Sequence, residues 1–228
     1  MSIADNLLKY KKELEGEQVE LIAVSKNNEA DAVLEAYNAG QRIFGENIVQ
    51  ELVEKQAVLP QDIEWHLIGH LQTNKVKYIA PFISMIESVD SLKLLAEINK
   101  QAAKHKRVID CLLQIYIADE ETKFGLDHAE AIELLRSEEY AAMKNIRITG
   151  LMGIASNNAV EKQTKDEFQE LKVLFDGIKL SFFRKEDSFK EVSMGMSGDY
   201  KIAIEEGSTM VRIGSNIFGT RKIKHFKA

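Results

Sequence analysis

Short apolar runs alternate with amphipathic segments along the whole chain. Eight of these runs are rich in β-branched and other apolar residues, and several are almost continuously apolar. A nearly continuous apolar run is typical of a parallel strand that is covered on both faces. We therefore predict eight strands: Val19–Ser25, Arg42–Gly45, Glu64–Gly69, Met85–Val89, Asp110–Ile117, Ile146–Ile154, Glu191–Met196 and Met210–Phe218.

The segments between the runs carry apolar residues at helical spacing. After the first run, Ala30, Val33, Leu34 and Tyr37 follow the spacing i, i+3, i+4 and i+7, and Gly40 stands where a helix commonly ends. The same criterion and the capping residues predict further helices over 3–14, from Ile48 towards Pro60, after Ser91, after Asp127 and Glu130, over 163–180 and over 200–206.

Strands that alternate with helices, in a chain without a low-complexity linker, predict an α/β protein. We expect one (β/α)8 TIM barrel domain over residues 1–228, with an extra helix before the first strand. The main alternative is a doubly wound open sheet. It is disfavoured because the first strand ends in Ser25-Lys26-Asn27 and not in a Gly-rich phosphate-binding turn.

Composition narrows the class of protein. The chain is 45% hydrophobic and 29% charged, as is usual for globular proteins, and it has no apolar run long enough for a transmembrane helix. The first residues lack the apolar segment of a secretory signal, so we expect a cytoplasmic protein. The net charge of −6 opposes broad binding to nucleic acid or to an anionic membrane.

Two smaller features have simple interpretations. The single cysteine, Cys111, lies in an apolar run and is interpreted as a small core residue. A set of basic residues near the end of the chain is interpreted as a solvated terminus: Arg221, Lys222, Lys224, His225 and Lys227.

Candidate chemistry lies at the carboxyl ends of the predicted strands, where barrels carry their functional sites. Lys26 ends the first strand, directly after an apolar run. An amine at the mouth of an apolar barrel is partly desolvated, which favours its neutral form, and a neutral amine can attack an aldehyde. A lysine that merely reaches solvent from the end of the strand is the alternative, and spacing alone does not exclude it.

The ends of the last two strands carry small residues that suit a phosphate group. Ser197 follows the seventh strand, and Gly214 and Ser215 lie at the eighth. Their backbone N–H groups and hydroxyls are potential donors, and barrels often bind phosphate in these two loops. Ordinary tight turns are the alternative. Arg212 shares strand parity with Gly214, so it faces either the barrel lumen, where it needs an anionic or acceptor partner, or solvent.

His66 and His70 lie four residues apart in a segment that runs from a strand into a loop. This is not a metal-binding spacing, and no cysteines or carboxylates cluster with them. We predict no metal site.

Six segments together resemble the pyridoxal phosphate (PLP) homeostasis protein family, over nearly the whole chain. They are AVSK (23–26), FGEN (44–47), WHLIGHLQTNK (65–75), GLMGIA (150–155), SMGMSGD (193–199) and GSTMVRIGSNIFGTR (207–221). The resemblance implies the barrel of alanine racemase, which is called fold type III among PLP proteins.

The resemblance also implies roles for single residues. Lys26 would form the internal aldimine with PLP, Arg212 would face the pyridine nitrogen and Asn47 would line the ring. The phosphate would be held by Ser197, Gly214 and Ser215. Family members often carry threonine where Ser215 stands, and serine keeps the hydroxyl donor. No role is implied for His70 or Gly153.

These roles imply weak catalysis. Arginine is permanently charged and cannot accept a proton, so a pyridine nitrogen opposite Arg212 stays unprotonated and PLP is a weak electron sink. Racemisation also needs a second acid or base, and few residues, 220–228, follow the eighth strand. We therefore expect a PLP homeostasis protein that stores, shields or delivers the cofactor without robust turnover.

Two alternatives and the expected partners complete the prediction. The first alternative is a small PLP-dependent amino-acid racemase or related enzyme. The second, an interaction protein that has lost its cofactor, is disfavoured because Lys26 and the phosphate loops are intact. Besides PLP, the expected partners are PLP-dependent apoenzymes or amino acids, and we expect a monomer.

Overall fold

The computed structural model describes residues 2–118, 124–157 and 159–219. Within these residues, eight parallel strands pair in chain order, and the last pairs with the first to close a barrel. The strands are β1 Glu20–Val24, β2 Ile43–Glu46, β3 Glu64–Leu67, β4 Met85–Val89, β5 Ile109–Ile115, β6 Ile146–Gly153, β7 Glu191–Met196 and β8 Met210–Ile213. The predicted (β/α)8 barrel is confirmed.

Helices surround the barrel: one precedes β1, and the others follow the strands. They are α1 Ile3–Glu13, α2 Ala30–Asn38, α3 Val49–Val58, α4 Val76–Ile79, α5 Leu92–Lys104, α6 His128–Arg136, α7 Glu138–Ala141, α8 Glu161–Phe182, α9 Tyr200–Glu205 and α10 Ser215–Phe218. A 3-10 turn, Thr73–Lys75, precedes α4. The opening helix that the sequence predicts before β1 is confirmed.

Capping residues set several helix boundaries as predicted. The Ser91 hydroxyl accepts a hydrogen bond from the Leu94 N–H at the start of α5. Asp127 and Glu130 form the predicted capping box of α6. Gly40, just beyond α2, has φ +92°, a left-handed conformation that glycine adopts without steric cost.

Apolar side chains fill both the barrel interior and the layer between strands and helices. The interior cluster comprises Ile22, Met85, Leu112, Met152 and Met210. A larger cluster joins the outer faces of the strands to the helices, and it includes Cys111 as predicted. Burial raises the pKa of the Cys111 thiol and keeps it protonated.

The predicted eighth strand, Met210–Phe218, is wrong in its second half. The strand ends at Ile213, and α10 begins at Ser215. Gly214 breaks the extended backbone between them, with φ −116° and ψ −82°. Ile217 lies in α10 and is buried against the core. The apolar pattern of β8 therefore continues into α10, although the strand itself has ended.

Three short helices, α4, α7 and α10, were not predicted from the sequence. Each has four residues, which is too few for an apolar stripe to repeat. The basic residues near the end of the chain lie outside the described residues. Among the helices that the structure describes, none combines the length and the apolar character needed to cross a membrane.

Candidate functional site

Lys26 lies just beyond the carboxyl end of β1, at the mouth of the barrel. Side chains alternate along a strand, and the neighbouring Ser25 points outward, where its hydroxyl donates to Glu46 Oε1 at 2.6 Å. Lys26 is half-buried and lines a small cavity with residues from the end of β8. The other residues around this cavity are Val24, Asn28, Gly214, Ser215, Phe218 and Gly219.

The loops after β7 and β8 meet beside this cavity. The Gly214 N–H donates to the Ser197 hydroxyl at 3.2 Å, and Asn216 Nδ2 donates to the Ser197 carbonyl at 3.1 Å. Ser215 is exposed at the start of α10. The structure therefore brings together the three residues assigned to phosphate in the sequence, and that assignment stays a prediction.

Helix α1 supports these loops from outside. Asn6 Nδ2 donates to the Ile217 carbonyl at 3.1 Å, and Asn216 Nδ2 donates to the Tyr10 hydroxyl at 2.8 Å. The extra N-terminal helix is thus hydrogen-bonded to α10, the segment that carries Ser215.

Arg212 faces the barrel interior and is buried. Its Nη1 donates to the Ser193 hydroxyl at 2.6 Å, and its Nη2 donates to the Gly153 carbonyl at 2.8 Å. The Ser193 hydroxyl in turn donates to Glu87 Oε2 at 2.6 Å. The acceptor that a lumen-facing arginine requires is therefore supplied by the barrel wall itself, while contact with a pyridine nitrogen stays a prediction.

Glu87 is the buried countercharge of this network. Burial by itself favours its protonated form, but a hydrogen bond from His66 and the charges of His66 and Arg212 lower its pKa below the usual value. His66 Nδ1 lies 2.7 Å from Glu87 Oε1 and donates to the ionised carboxylate. Arg212 is thus oriented by Ser193 on β7 and the Gly153 carbonyl on β6, and its charge is opposed by Glu87 on β4 and by Asp199 after β7.

Asn47 follows β2, the strand next to β1, and lines a different cavity from Lys26. Gly69 packs so closely against it that a Cβ on Gly69 would lie 2.6 Å from the Asn47 carbonyl oxygen. Among the described residues, the buried Oδ1 of Asn47 has no hydrogen-bond partner. Asn47 lines a cavity of about 240 Å³, which is partly closed by His70 stacked on Phe124 at 3.9 Å.

Sequence reasoning missed three groups of the arginine network: Glu87, Ser193 and the Gly153 carbonyl. A signal for Glu87 was available. Glu87 interrupts the apolar strand β4 and shares parity with the interior residue Met85, so a charged side chain was directed into the barrel. A buried carboxylate at such a position calls for a cationic partner. The backbone carbonyl of Gly153 left no signal in the sequence.

His66 and His70 make separate contacts. His66 contacts Glu87 inside the barrel, whereas His70 Nδ1 lies 3.0 Å from Asp90 Oδ2 at the surface. In the part of the chain that the structure describes, no three His, Cys, Asp or Glu side chains are grouped as metal ligands.

Comparison with known proteins assigns the family. The family model described as alanine racemase, N-terminal domain, matches residues 1–222. A relative from Vibrio alginolyticus named pyridoxal phosphate homeostasis protein is 39% identical over 210 residues, which span 90% of this chain and 88% of the relative. The chain belongs to the PLP homeostasis protein family.

Solved structures of this family have the same fold. PipY of Synechococcus elongatus PCC7942, described as a COG0325 family member, has been solved without PLP and with PLP bound. Both structures are 36% identical to this chain and cover 96% of it and 100% of their own chains, with TM-scores of 0.89 and 0.86. The PLP homeostasis protein family that the six sequence segments indicate is therefore confirmed, as is its barrel.

Proposed function

We propose that this chain binds PLP through a Schiff base on Lys26 and serves intracellular PLP homeostasis, by storage, shielding or delivery, without robust turnover. The cavity that Lys26 shares with Gly214 and Ser215 carries the proposal, because it places an amine beside potential phosphate donors. PLP supplies an aldehyde, which condenses with a lysine amine to a Schiff base and one water. The PLP-bound PipY structure supports the proposal from a relative.

The residues present fit PLP. The hydroxyls of Ser197 and Ser215 and the N–H groups at the start of α10 are donors for a phosphate. Asn47 offers a buried Oδ1 without a partner among the described residues, at the side of the mouth assigned to the ring. Arg212 is assigned to the pyridine nitrogen.

The proposed lack of robust turnover rests on Arg212. Its guanidinium donates to Ser193 and Gly153, which fixes its plane, and it keeps its charge. A fixed positive charge disfavours a proton on a neighbouring ring nitrogen and so limits carbanion stabilisation. The proposal includes one barrel domain, a cytoplasmic location and a monomeric state, with apoenzymes or amino acids as further partners.

Reduction of the holoprotein with borohydride, followed by peptide mapping, tests the covalent link. We expect the pyridoxyl group on Lys26 and loss of the Schiff-base absorbance in Lys26→Ala. Lys75→Ala, which removes a half-buried lysine after β3, is the matched control and should keep the absorbance. A label on Lys75 or Lys201 would overturn the assignment.

Deuterium incorporation into alanine, followed by NMR, tests the proposed lack of turnover. We expect slow exchange at the α-carbon and no measurable racemisation by the PLP-loaded protein. Rapid exchange with racemisation would instead establish the alternative of a small amino-acid racemase, while leaving the PLP site intact.

A further inference from the structure

A buried ionic cluster lies behind Lys26, on the outer face of the barrel wall. It consists of Glu46 at the end of β2 with Glu51 and Lys55 on α3, and all three are at most 4% exposed. Lys55 Nζ donates to Glu46 Oε1 at 2.6 Å and to Glu51 Oε1 at 2.7 Å. One ammonium thus serves two carboxylates, away from the proposed ligand cavity.

The cluster holds the backbone on both sides of Lys26. On one side, Lys55 Nζ donates to the Ser25 carbonyl at 2.7 Å. On the other side, the Asn27 N–H donates to Glu51 Oε1 at 2.7 Å. The peptide groups before and after Lys26 are therefore each bonded to a buried charged side chain.

Asn27 also has an unusual backbone conformation, with φ +62°. Residues other than glycine rarely adopt this left-handed region, and such a residue persists only where its surroundings fix it. The hydrogen bond to Glu51 fixes it here. The chain consequently turns sharply just after Lys26, and the lysine is held between a regular strand and a strained residue.

Packing does not account for this cluster. Two buried carboxylates and one ammonium are costly to desolvate, and apolar residues of similar volume often stabilise a protein as well or better. Burial raises the pKa of Glu46 to about 7, with Glu51 adding to the rise and Lys55 opposing it. A cluster under such electrostatic stress is expected where it serves a site.

We propose that Glu51 and Lys55 are positioning residues for Lys26: they lock its two flanking peptide groups so that the amine is held ready to condense with an aldehyde. This inference rests on the proposed function. An amine that is already ordered loses less entropy on forming a bond. The hydrogen bonds of Glu51 and Lys55 to the two flanking peptide groups should therefore favour the covalent link to an aldehyde over noncovalent binding.

Two ligands separate these contributions. PLP carries the aldehyde, whereas pyridoxine 5′-phosphate has a hydroxymethyl group in its place and binds noncovalently. Dissociation constants for both ligands are measured in wild type, Glu51→Leu and Glu51→Gln. Glu51→Leu removes the acceptor of the Asn27 N–H but leaves Lys55 and Glu46 as a neutral pair, and Glu51→Gln restores an acceptor oxygen.

Glu167→Leu is the matched control. Glu167 is a buried helix carboxylate on α8 that accepts from the Ser156 N–H at 2.7 Å, after β6, so it repeats the contact away from Lys26. We expect Glu51→Leu to weaken PLP about tenfold, the size expected for one orphaned, partly buried N–H, and to leave pyridoxine 5′-phosphate within about twofold. Glu51→Gln should regain most of the loss, and Glu167→Leu should show no selective effect.

Equal weakening of both ligands in Glu51→Leu, or unchanged PLP binding, would overturn the positioning role. If Glu51→Leu does not fold, Glu51→Asp withdraws the oxygen by one methylene, keeps the charge and should give a smaller loss that is again selective for PLP. Borohydride labelling of the wild type tests the proposed function separately. A wild type without label on Lys26 removes the proposed function and the positioning role with it, whereas a labelled wild type with unselective variants removes only the positioning role.

Discussion

The backbone N–H of Gly214 donates a hydrogen bond to the Ser197 hydroxyl at 3.2 Å, which joins the loop after β7 to the end of β8. Because Ser215 follows Gly214 directly, two hydroxyls from different loops belong to one local structure. That structure borders the cavity of Lys26. It is the basis for expecting that the two serines act together on one phosphate.

Replacing Ser197 and Ser215 by alanine together should weaken PLP far more than pyridoxal, which has no phosphate. A hydrogen bond to a charged acceptor contributes about 1.5–3 kcal/mol, so the double variant should lose at least tenfold in PLP affinity. Titration of both ligands checks this. Ser137→Ala, which removes the cap of α7, is the control and should leave both affinities unchanged. Equal weakening of PLP and pyridoxal would contradict the placement.

Replacing Glu87 by glutamine should destabilise the fold strongly. The change removes a buried negative charge that is linked to Arg212 through the Ser193 hydroxyl and that lies 2.7 Å from His66 Nδ1, and removing one partner of a buried charge pair costs about 3–5 kcal/mol. The free energy of unfolding in urea measures the effect. Asp110→Asn, which breaks the partly exposed pair with Arg147, is the control and should cost less than about 1 kcal/mol. Similar losses in both variants would show that Glu87 does not compensate Arg212.

Stability should fall as the pH rises towards neutrality, because of Glu46. Its pKa is raised from 4.5 to about 7 in the folded protein, so the folded state keeps a proton that the unfolded state has already lost. The stabilisation is therefore full below pH 4.5 and is lost as the pH rises through about 7, by as much as about 3 kcal/mol. Urea unfolding across this range should show a slope that Glu46→Gln flattens. Parallel slopes in the two proteins would refute the assignment to Glu46.

Two glycines should respond oppositely to alanine. A Cβ on Gly69 would lie 2.6 Å from the Asn47 carbonyl oxygen, so Gly69→Ala should displace Asn47, destabilise the fold and weaken PLP. A Cβ on Gly177, within α8, would meet nothing within 4 Å, so Gly177→Ala should stabilise the protein by about 0.5–1 kcal/mol. Thermal unfolding and PLP titration check both variants. Unchanged PLP binding in Gly69→Ala would argue against a role for Asn47.

The fold could be predicted from the sequence because the apolar runs and the helix-capping residues indicate the same strands and helices that the structure contains. The apolar run before Lys26 is a strand between two covering layers, and Asp127 with Glu130 marks a helix start that the structure shows unchanged. Where one pattern suits two structures, prediction fails. The apolar residues Ile217 and Phe218 extend the pattern of β8 but lie in a helical turn after Gly214.

The candidate site is predicted less completely than the fold, because its residues meet through the barrel and not along the chain. Strand parity and position indicate Lys26 and Arg212, but no local pattern pairs Arg212 with Ser193 or Glu87, which lie on other strands. The hydrogen bond from the Asn27 N–H to Glu51 could not be predicted either, because the sequence shows Glu51 only as a polar residue near the start of a helix.

The hydrogen bonds between α1 and α10 have a consequence for how the protein is made. Asn6 and Ile217 are 211 residues apart, so their contact closes almost the longest loop that the described chain allows. Contacts of such separation form only after much of the intervening chain has been ordered, because loop closure costs entropy first. On the ribosome, the segment that carries Ser215 is made after α1 and docks on it. A nascent chain therefore lacks the segment that carries Ser215, and with it one wall of the cavity that Lys26 lines, until synthesis has passed β8.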